Sequence, residues 1–412
     1  MLGRASMGPF VLGGRAVDLE TGLQALLVVS FIAAAAPFVC ALLARFRVPQ
    51  VVVLIVGGVL IGPDVAGLVK PDSIELVANV GLGFLFLLAG YELELDHFKE
   101  RSGRLAITGW LVSAAVSIAI TGLLAVGGFV HAFVPVALAL TTTALGTLLP
   151  ILRDNDMLDG PLGRLIMPAG AVGEFFPIVG IAIFLGSHGR LYGLLSLLVM
   201  CAVALGLAWL PRLARFGRFK AISTEREHET SQTTLRLTVM LLFGLLVFAS
   251  DFGLDVVLGA FLAGVVLRRW APGDVHALED KLDAVGYGFF IPVFFVASGM
   301  GLDLDSIAAA PARLVAFFVL LVVVRGLPSL VLYRNDLDRR ERVQMTLLTA
   351  TSLPLLVALA AVGLSSGEML PENAAALVGA GVLSVMVFPG LAVALNRRVP
   401  VRAPNETPPA RT

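Results

Sequence analysis

The run FLLAGYELELD (86–96) returns in the second half of the chain as FVASGMGLDLD (295–305). Laid on one another, the two place Phe86, Gly90, Leu93, Leu95 and Asp96 on Phe295, Gly299, Leu302, Leu304 and Asp305. The match continues with Arg104 and Leu105 on Arg313 and Leu314. At a nearby offset, GGVLIG (57–62) falls on GAFLAG (259–264). Single apolar matches arise easily by chance, whereas an ordered polar match at the end of an apolar run does not. The chain reads as two copies of one unit.

The composition says what kind of unit this is. Of 412 residues, 58% are hydrophobic and 15% are charged, and the mean hydropathy is +0.92. A soluble chain carries about a quarter of its residues charged, so a water-soluble fold is excluded. A membrane-crossing helix needs about 20 mostly apolar residues. Thirteen such stretches are read at 22–44, 48–66, 74–91, 105–127, 131–152, 162–186, 191–211, 235–252, 254–269, 282–300, 311–333, 343–363 and 373–396. The expected fold is an all-α polytopic membrane protein.

Lys and Arg gather in alternate loops: Arg45/Arg47, Lys99/Arg101/Arg104, Arg153/Arg164, Arg212 to Arg236, Arg268/Arg269/Lys281, Arg334 to Arg342 and Arg397 to Arg411. Positive residues favour the cytoplasmic side, so the N-terminus is placed outside and the C-terminus inside. The two FLLAG-like motifs then face opposite sides, which makes the copies inverted. Residues 1–21 form an extracytoplasmic segment, and 22–396 the transmembrane domain. Within that domain, repeat one is 22–186, a linker helix 191–211 and repeat two 235–396. Residues 397–412 form a cytoplasmic tail. Inverted repeats are a frequent architecture of secondary transporters. No long apolar core precedes a cleavage site near residue 20, so no cleaved signal peptide is read.

Nearly every charge falls in a loop, a tail or a helix end; two do not. Glu174 lies at the centre of PAGAVGEFFPIVG (168–180) and Arg325 deep in LLVVVRGLPSLV (320–331). A mid-bilayer charge costs roughly 2.5–3.5 kcal/mol by insertion scales and so marks a pathway or an internal pair. Pro177 has no N–H and deprives the Gly173 carbonyl of its helical partner. That places a free oxygen beside the Glu174 carboxylate, a hard-oxygen setting for a small cation. A proton and a cation would compete for it. Pro328 does the same for the Val324 carbonyl near Arg325. Two further stretches look breakable: Thr141, Thr142, Thr143 and Gly146 before Pro150, and Thr349, Thr351 and Ser352 before a mid-helix Pro354. Matching breaks in both copies suit a site built from discontinuous helices.

Cofactor chemistry finds no residues. Cys40 and Cys201 lie in apolar stretches, and His97, His131, His188, His228 and His276 have no ligand spacing. Neither a phosphate loop nor a nucleic-acid-binding charge balance is present. An enzyme is not expected, and no cofactor is implied.

Several motifs together resemble the monovalent cation:proton antiporters, the branch holding bacterial Na+/H+ exchangers and the glutathione-gated potassium efflux systems. They are GVLIGP (58–63), FLLAGYELELD (86–96), TTTALGTLLPILRD (141–154), GAVGEFFPIVG (170–180), LGAFLAGVVL (258–267) and FFVASGMGLDLD (294–305), with VVVRG (322–326) where the family carries a Lys or Arg. The resemblance implies about thirteen helices in two inverted repeats, and a homodimer in the plasma (inner) membrane. It also implies an elevator-like core with crossing, unwound helices at spans 5 and 12. By position, Glu174 becomes the carboxylate for the monovalent cation and the proton. Gly173, Thr142 and Thr143 lie beside it, Arg325 is its basic partner, and Pro177, Pro328 and Pro354 are helix breaks. The implied partners are Na+ or K+, H+ and membrane lipid.

The chain also departs from that pattern. Many relatives carry two polar or acidic residues in span 6 that end in Asp, where this chain has Gly173-Glu174. The acidic motif of the potassium efflux branch in span 12 is replaced by TATSLPLL (349–356). Sixteen residues, polar and Pro-rich, follow Asn396, so no cytoplasmic nucleotide-binding domain is expected, and glutathione gating is not expected either. With one titratable carboxylate and a permanently charged Arg325, electroneutral exchange is expected. Two other readings stay open. One is a sodium-coupled organic-anion symporter using Arg325 as its clamp; the other is a membrane sensor locked by a Glu174–Arg325 ion pair.

Overall fold

The computed structural model describes residues 11–12, 15–16, 19–43, 48–92, 100–185, 190–213, 232–270, 275–309, 311–365 and 367–396. The tail 397–412, most of the segment 1–21, the loop 214–231 and the end of the first motif (Leu93 to Asp96) lie outside them. Apart from a two-residue pairing of Val11–Leu12 with Arg15–Ala16, the described chain is helical. Nine helices among these residues are long and apolar enough to cross a membrane. Four more elements complete the thirteen expected spans. Three are short helices, and the fourth is a span broken in two.

Repeat one begins with α1 (Leu19–Leu42), α2 (Gln50–Ile61), α3 (Glu75–Tyr91) and α4 (Arg101–Val126). The fifth span is two half-helices, α5 (Phe133–Ala139) and α6 (Leu145–Asp154), and α7 (Pro161–Phe184) is the sixth. The helix expected to be the linker is α8 (Arg190–Leu213). Repeat two holds α9 (Thr233–Asp251) and α10 (Val256–Trp270). Next, α11 (Val275–Val285) runs through a π turn (Gly286–Phe290) into α12 (Ile291–Met300). After the short α13 (Leu304–Ala309) comes α14 (Pro311–Leu321), with a π turn (Val322–Gly326) leading into α15 (Leu327–Leu332). The twelfth span is again split, into α16 (Arg339–Thr349) and α17 (Pro354–Ser365), and α18 (Pro371–Ala394) ends the fold.

The helices pack as two bodies. In one, here the panel, α2 lies along α12 and α3 along α10, with α1, α8, α9 and α11 around them. The other, the core, gathers α4 to α7 and α14 to α18. Glycine fixes the two crossings of the panel. A Cβ on Gly58 would collide with the Val296 carbonyl and one on Gly299 with the Ile55 carbonyl. At the second crossing, Gly90 meets the Phe261 carbonyl and Gly264 the Leu87 carbonyl. Removing the side chain lets backbones touch, which is how membrane helices gain packing without a hydrophobic drive. The repeat thus has a structural meaning: the motif helix of each copy (α3, α12) packs on the GGVLIG-type helix of the other (α10, α2).

The proline expectations need correction. Pro177 breaks nothing, because α7 is continuous through it. The Gly173 carbonyl it frees accepts the Thr143 N–H at 3.0 Å instead. Pro328 lies just inside α15, where the π turn has already absorbed the irregularity. Pro354 is not in mid-helix but is the first residue of α17, where a missing N–H costs nothing. The break before it, residues 350–353, is real.

Candidate functional site

Residues 140–144 and 350–353 meet inside the core, where each interrupts its span. The unwound strands hydrogen-bond to each other, since the Ala144 N–H donates to the Thr351 carbonyl at 2.8 Å. Thr143 Oγ1 donates to the Thr349 carbonyl at 2.7 Å, and the Thr142 and Ser352 hydroxyls are in direct contact. Thr142 Oγ1 also donates to the Ala139 carbonyl at 2.7 Å. Ser384 on α18 closes the second break, accepting from the Ser352 N–H at 3.0 Å and donating to the Ser352 carbonyl at 2.8 Å. Buried backbone groups need partners, and these hydroxyls supply them where the helices stop. Thr142 and Thr143, singled out as ion-site residues, therefore spend their hydroxyls on the crossing itself.

Glu174 faces this crossing from α7 and is 3% exposed. Its Oε1 accepts the Gly146 N–H at 3.2 Å, in the first turn of α6. Helix N-termini present unpaired N–H groups and a positive dipole end, which favours a carboxylate there. Its Oε2 is buried and has no hydrogen-bond partner. A carboxylate held by one oxygen, with the other free, can accept a proton or a bare cation.

Arg325, on the π turn between α14 and α15, is also 3% exposed. The structure does not pair it with Glu174. Its Nε donates to Thr143 Oγ1 at 2.9 Å and its Nη2 to the Ala169 carbonyl at 2.7 Å. Gly173 makes this possible, since a Cβ there would lie 2.7 Å from Arg325 Nη2 and 2.6 Å from Thr143 Oγ1. The guanidinium passes over the missing side chain to the break. There α5 and α16 both end, and the negative ends of two helix dipoles converge. Arg325 is thus the counter-charge of the crossing, and Glu174 stands at the positive end of α6. The expected ion pair is replaced by two separate helix-end interactions.

A cavity of about 450 Å³ leads to the site. Gly146, Thr147 and Pro150 of α6 line it on the core side, and Cys40, Tyr287 and Pro292 on the panel side. Tyr287 donates its hydroxyl to the Gly146 carbonyl at 2.9 Å. Arg153 at the end of α6 reaches Glu279 and Asp283 of α11, each at 3.4 Å. Sequence reasoning passed over Glu92, treating it only as part of a repeated motif. The residue caps α3, its Oε2 is buried without a partner, and it lies within electrostatic reach of Glu174, Arg153, Asp283 and Glu279. The signal was there, an acid directly after an apolar run, but its depth depends on how short α3 is.

Comparison with known proteins bears on this arrangement. The sodium/hydrogen exchanger transmembrane family matches residues 28–395. The chain belongs to that family. Among curated relatives of this family member, YjbQ of Bacillus subtilis (strain 168) is 27% identical over 391 residues, 90% of this chain and 62% of that protein. The chain thus spans somewhat under two thirds of that relative's length. GerN of Bacillus cereus, a Na(+)/H(+)-K(+) antiporter, is 24% identical over 84% of this chain and 89% of its own. Among solved structures, the sodium proton antiporter MjNhaP1 from Methanocaldococcus jannaschii superposes with a TM-score of 0.64 at 16% identity, covering 92% of this chain and 96% of that one. At that identity the likeness is one of fold, and it extends over nearly the whole chain.

Proposed function

We propose that the protein exchanges a monovalent cation, Na+ or K+, for H+ across the plasma membrane, one for one, at Glu174. The observation that carries this reading is the unpartnered, buried Glu174 Oε2 at the crossing of two broken helices, next to a residue that lines the cavity. Family membership supports the exchange, and the printed name of GerN supports keeping K+ beside Na+. The division into panel and core supports an elevator-like movement in which the core carries Glu174 past the panel. Arg325 moves with the core but keeps its proton throughout. Glu92 stays with the panel, so the carried charge changes only at Glu174, and a cation-loaded and a proton-loaded core are both neutral there. The cavity opens beside Asp154 and Asn155, in the Arg-rich loop set, which supports a cytoplasmic opening. A homodimer completes the reading, with the apolar rows Leu27, Phe31 and Phe38 of α1 and Leu194, Leu198 and Leu205 of α8 meeting lipid or a second copy.

The other readings lose their footing. An organic-anion clamp needs a guanidinium open to the cavity, whereas Arg325 is buried and bound to Thr143 and Ala169. A sensor locked by Glu174–Arg325 needs a pair that the structure does not form. The test is proton flux in liposomes driven by Na+, K+ or Li+ in turn. Wild-type protein is expected to respond to at least one, and Glu174→Gln to none while keeping its thermal stability. Full flux in Glu174→Gln would overturn the assignment.

A further inference from the structure

Three side chains of the panel reach the half-helix α6. Glu279 and Asp283 meet Arg153 in its last turn, and Tyr287 meets Gly146 in its first. The three stand four residues apart and form one stripe along α11 and the π turn that follows. Tyr287 is the deepest, and its target is free for a reason written in the sequence. Pro150 lies four residues after Gly146 and has no N–H, so the Gly146 carbonyl has no helical donor. The Tyr287 hydroxyl takes that place. Gly146 is therefore held at both of its peptide groups. Its N–H is given to Glu174 on the core and its carbonyl is taken by Tyr287 on the panel. A glycine with no Cβ keeps its backbone direction only through such anchors. A π turn carries Tyr287, a helical irregularity that recurs at functional positions.

We infer that Tyr287 is a positioning residue for the exchange: it aims the Gly146 N–H at Glu174 and ties α6 to the panel while the cavity is open. The inference deepens the exchange reading, on which its kinetic half rests. Movement of the core relative to the panel must break the Tyr287–Gly146 bond, because its two ends lie on different bodies. The bond therefore weights the balance toward the cavity-open conformation. An ordinary hydrogen bond contributes enough to shift such a balance about two- to ten-fold.

Cys40 lines the cavity on α1 and serves as its own reporter. In a Cys201→Ser background, labelling of Cys40 by a charged methanethiosulfonate measures how often the cavity is open to water. Tyr287→Phe is expected to slow that labelling about two- to ten-fold. In everted vesicles, where the proposed cytoplasmic face is outward, the apparent KM for the cation rises by a similar factor while kcat holds or increases. Pro150→Ala is the second variant: it restores a helical N–H that competes for the Gly146 carbonyl, and it shifts both readouts the same way. Were Tyr287 only a packing residue, Pro150→Ala would leave both unchanged, and that result overturns the inference. So does wild-type labelling in Tyr287→Phe. Should the wild type show no cation-driven proton flux, the exchange reading fails, and the labelling still decides whether Tyr287 holds the cavity open.

Discussion

Glu174 accepts the Gly146 N–H on Oε1 and keeps Oε2 unpartnered. If proton and cation share that oxygen, they compete. Lowering the pH on the cation's side is expected to raise its apparent KM and leave the maximal rate unchanged; a falling maximal rate at constant KM would mean separate sites. Gly173 is the second residue with a specific demand. A methyl group there presses on Thr143 Oγ1 and Arg325 Nη2, and overpacking of this kind costs about 1–3 kcal/mol. Gly173→Ala is thus expected to lower the Tm in detergent, whereas Gly244→Ala, with open space around it, leaves it near wild type. Both interior charges were legible in the sequence, because depth in an apolar run is a one-dimensional property. Their separation was not. Whether two side chains meet depends on helix rotation about the crossing, and Arg325 found nearer acceptors.

At the scale of the element, the split spans follow from hydroxyls and prolines placed together. Thr141, Thr142 and Thr143 and then Thr351 and Ser352 announced the breaks: the threonine hydroxyls donate to backbone carbonyls where the helices stop, and Ser352 meets Thr142 across the crossing. What the prolines would do was harder to read, because a freed carbonyl shows where a donor is missing and not which donor arrives. The Thr143 N–H went to Gly173 and the Tyr287 hydroxyl to Gly146. Ser384 illustrates the same point: nothing in its own helix marks it, yet it holds both backbone groups of Ser352. Leaving those groups unpaired costs about 1–3 kcal/mol. Ser384→Ala is expected to lower the Tm accordingly and to slow exchange, while Ser250→Ala at the exposed end of α9 changes neither. Equal stability and rate in Ser384→Ala would show that the second break is held elsewhere.

The whole molecule rests on its repeat. The matched glycines, Gly90 with Gly299 and Gly62 with Gly264, lie along the helices that cross in the panel, so the textual symmetry of the sequence is a symmetry of contacts. Gly90→Val would drive a branched side chain into the Phe261 backbone, and loss of the folded, monodisperse protein in detergent is the expected result. The proposed division of labour rests on the same packing: in it the panel stays, and the core carries Glu174, Gly146 and Arg325 together. The most direct test of that account is the ratio of cation to proton flux in liposomes, recorded with a voltage-sensitive dye and no imposed potential. One proton moving per cation with no voltage developed, and both fluxes absent in Glu174→Gln, is the result predicted. A voltage generated by transport, or exchange persisting without the Glu174 carboxylate, would contradict it.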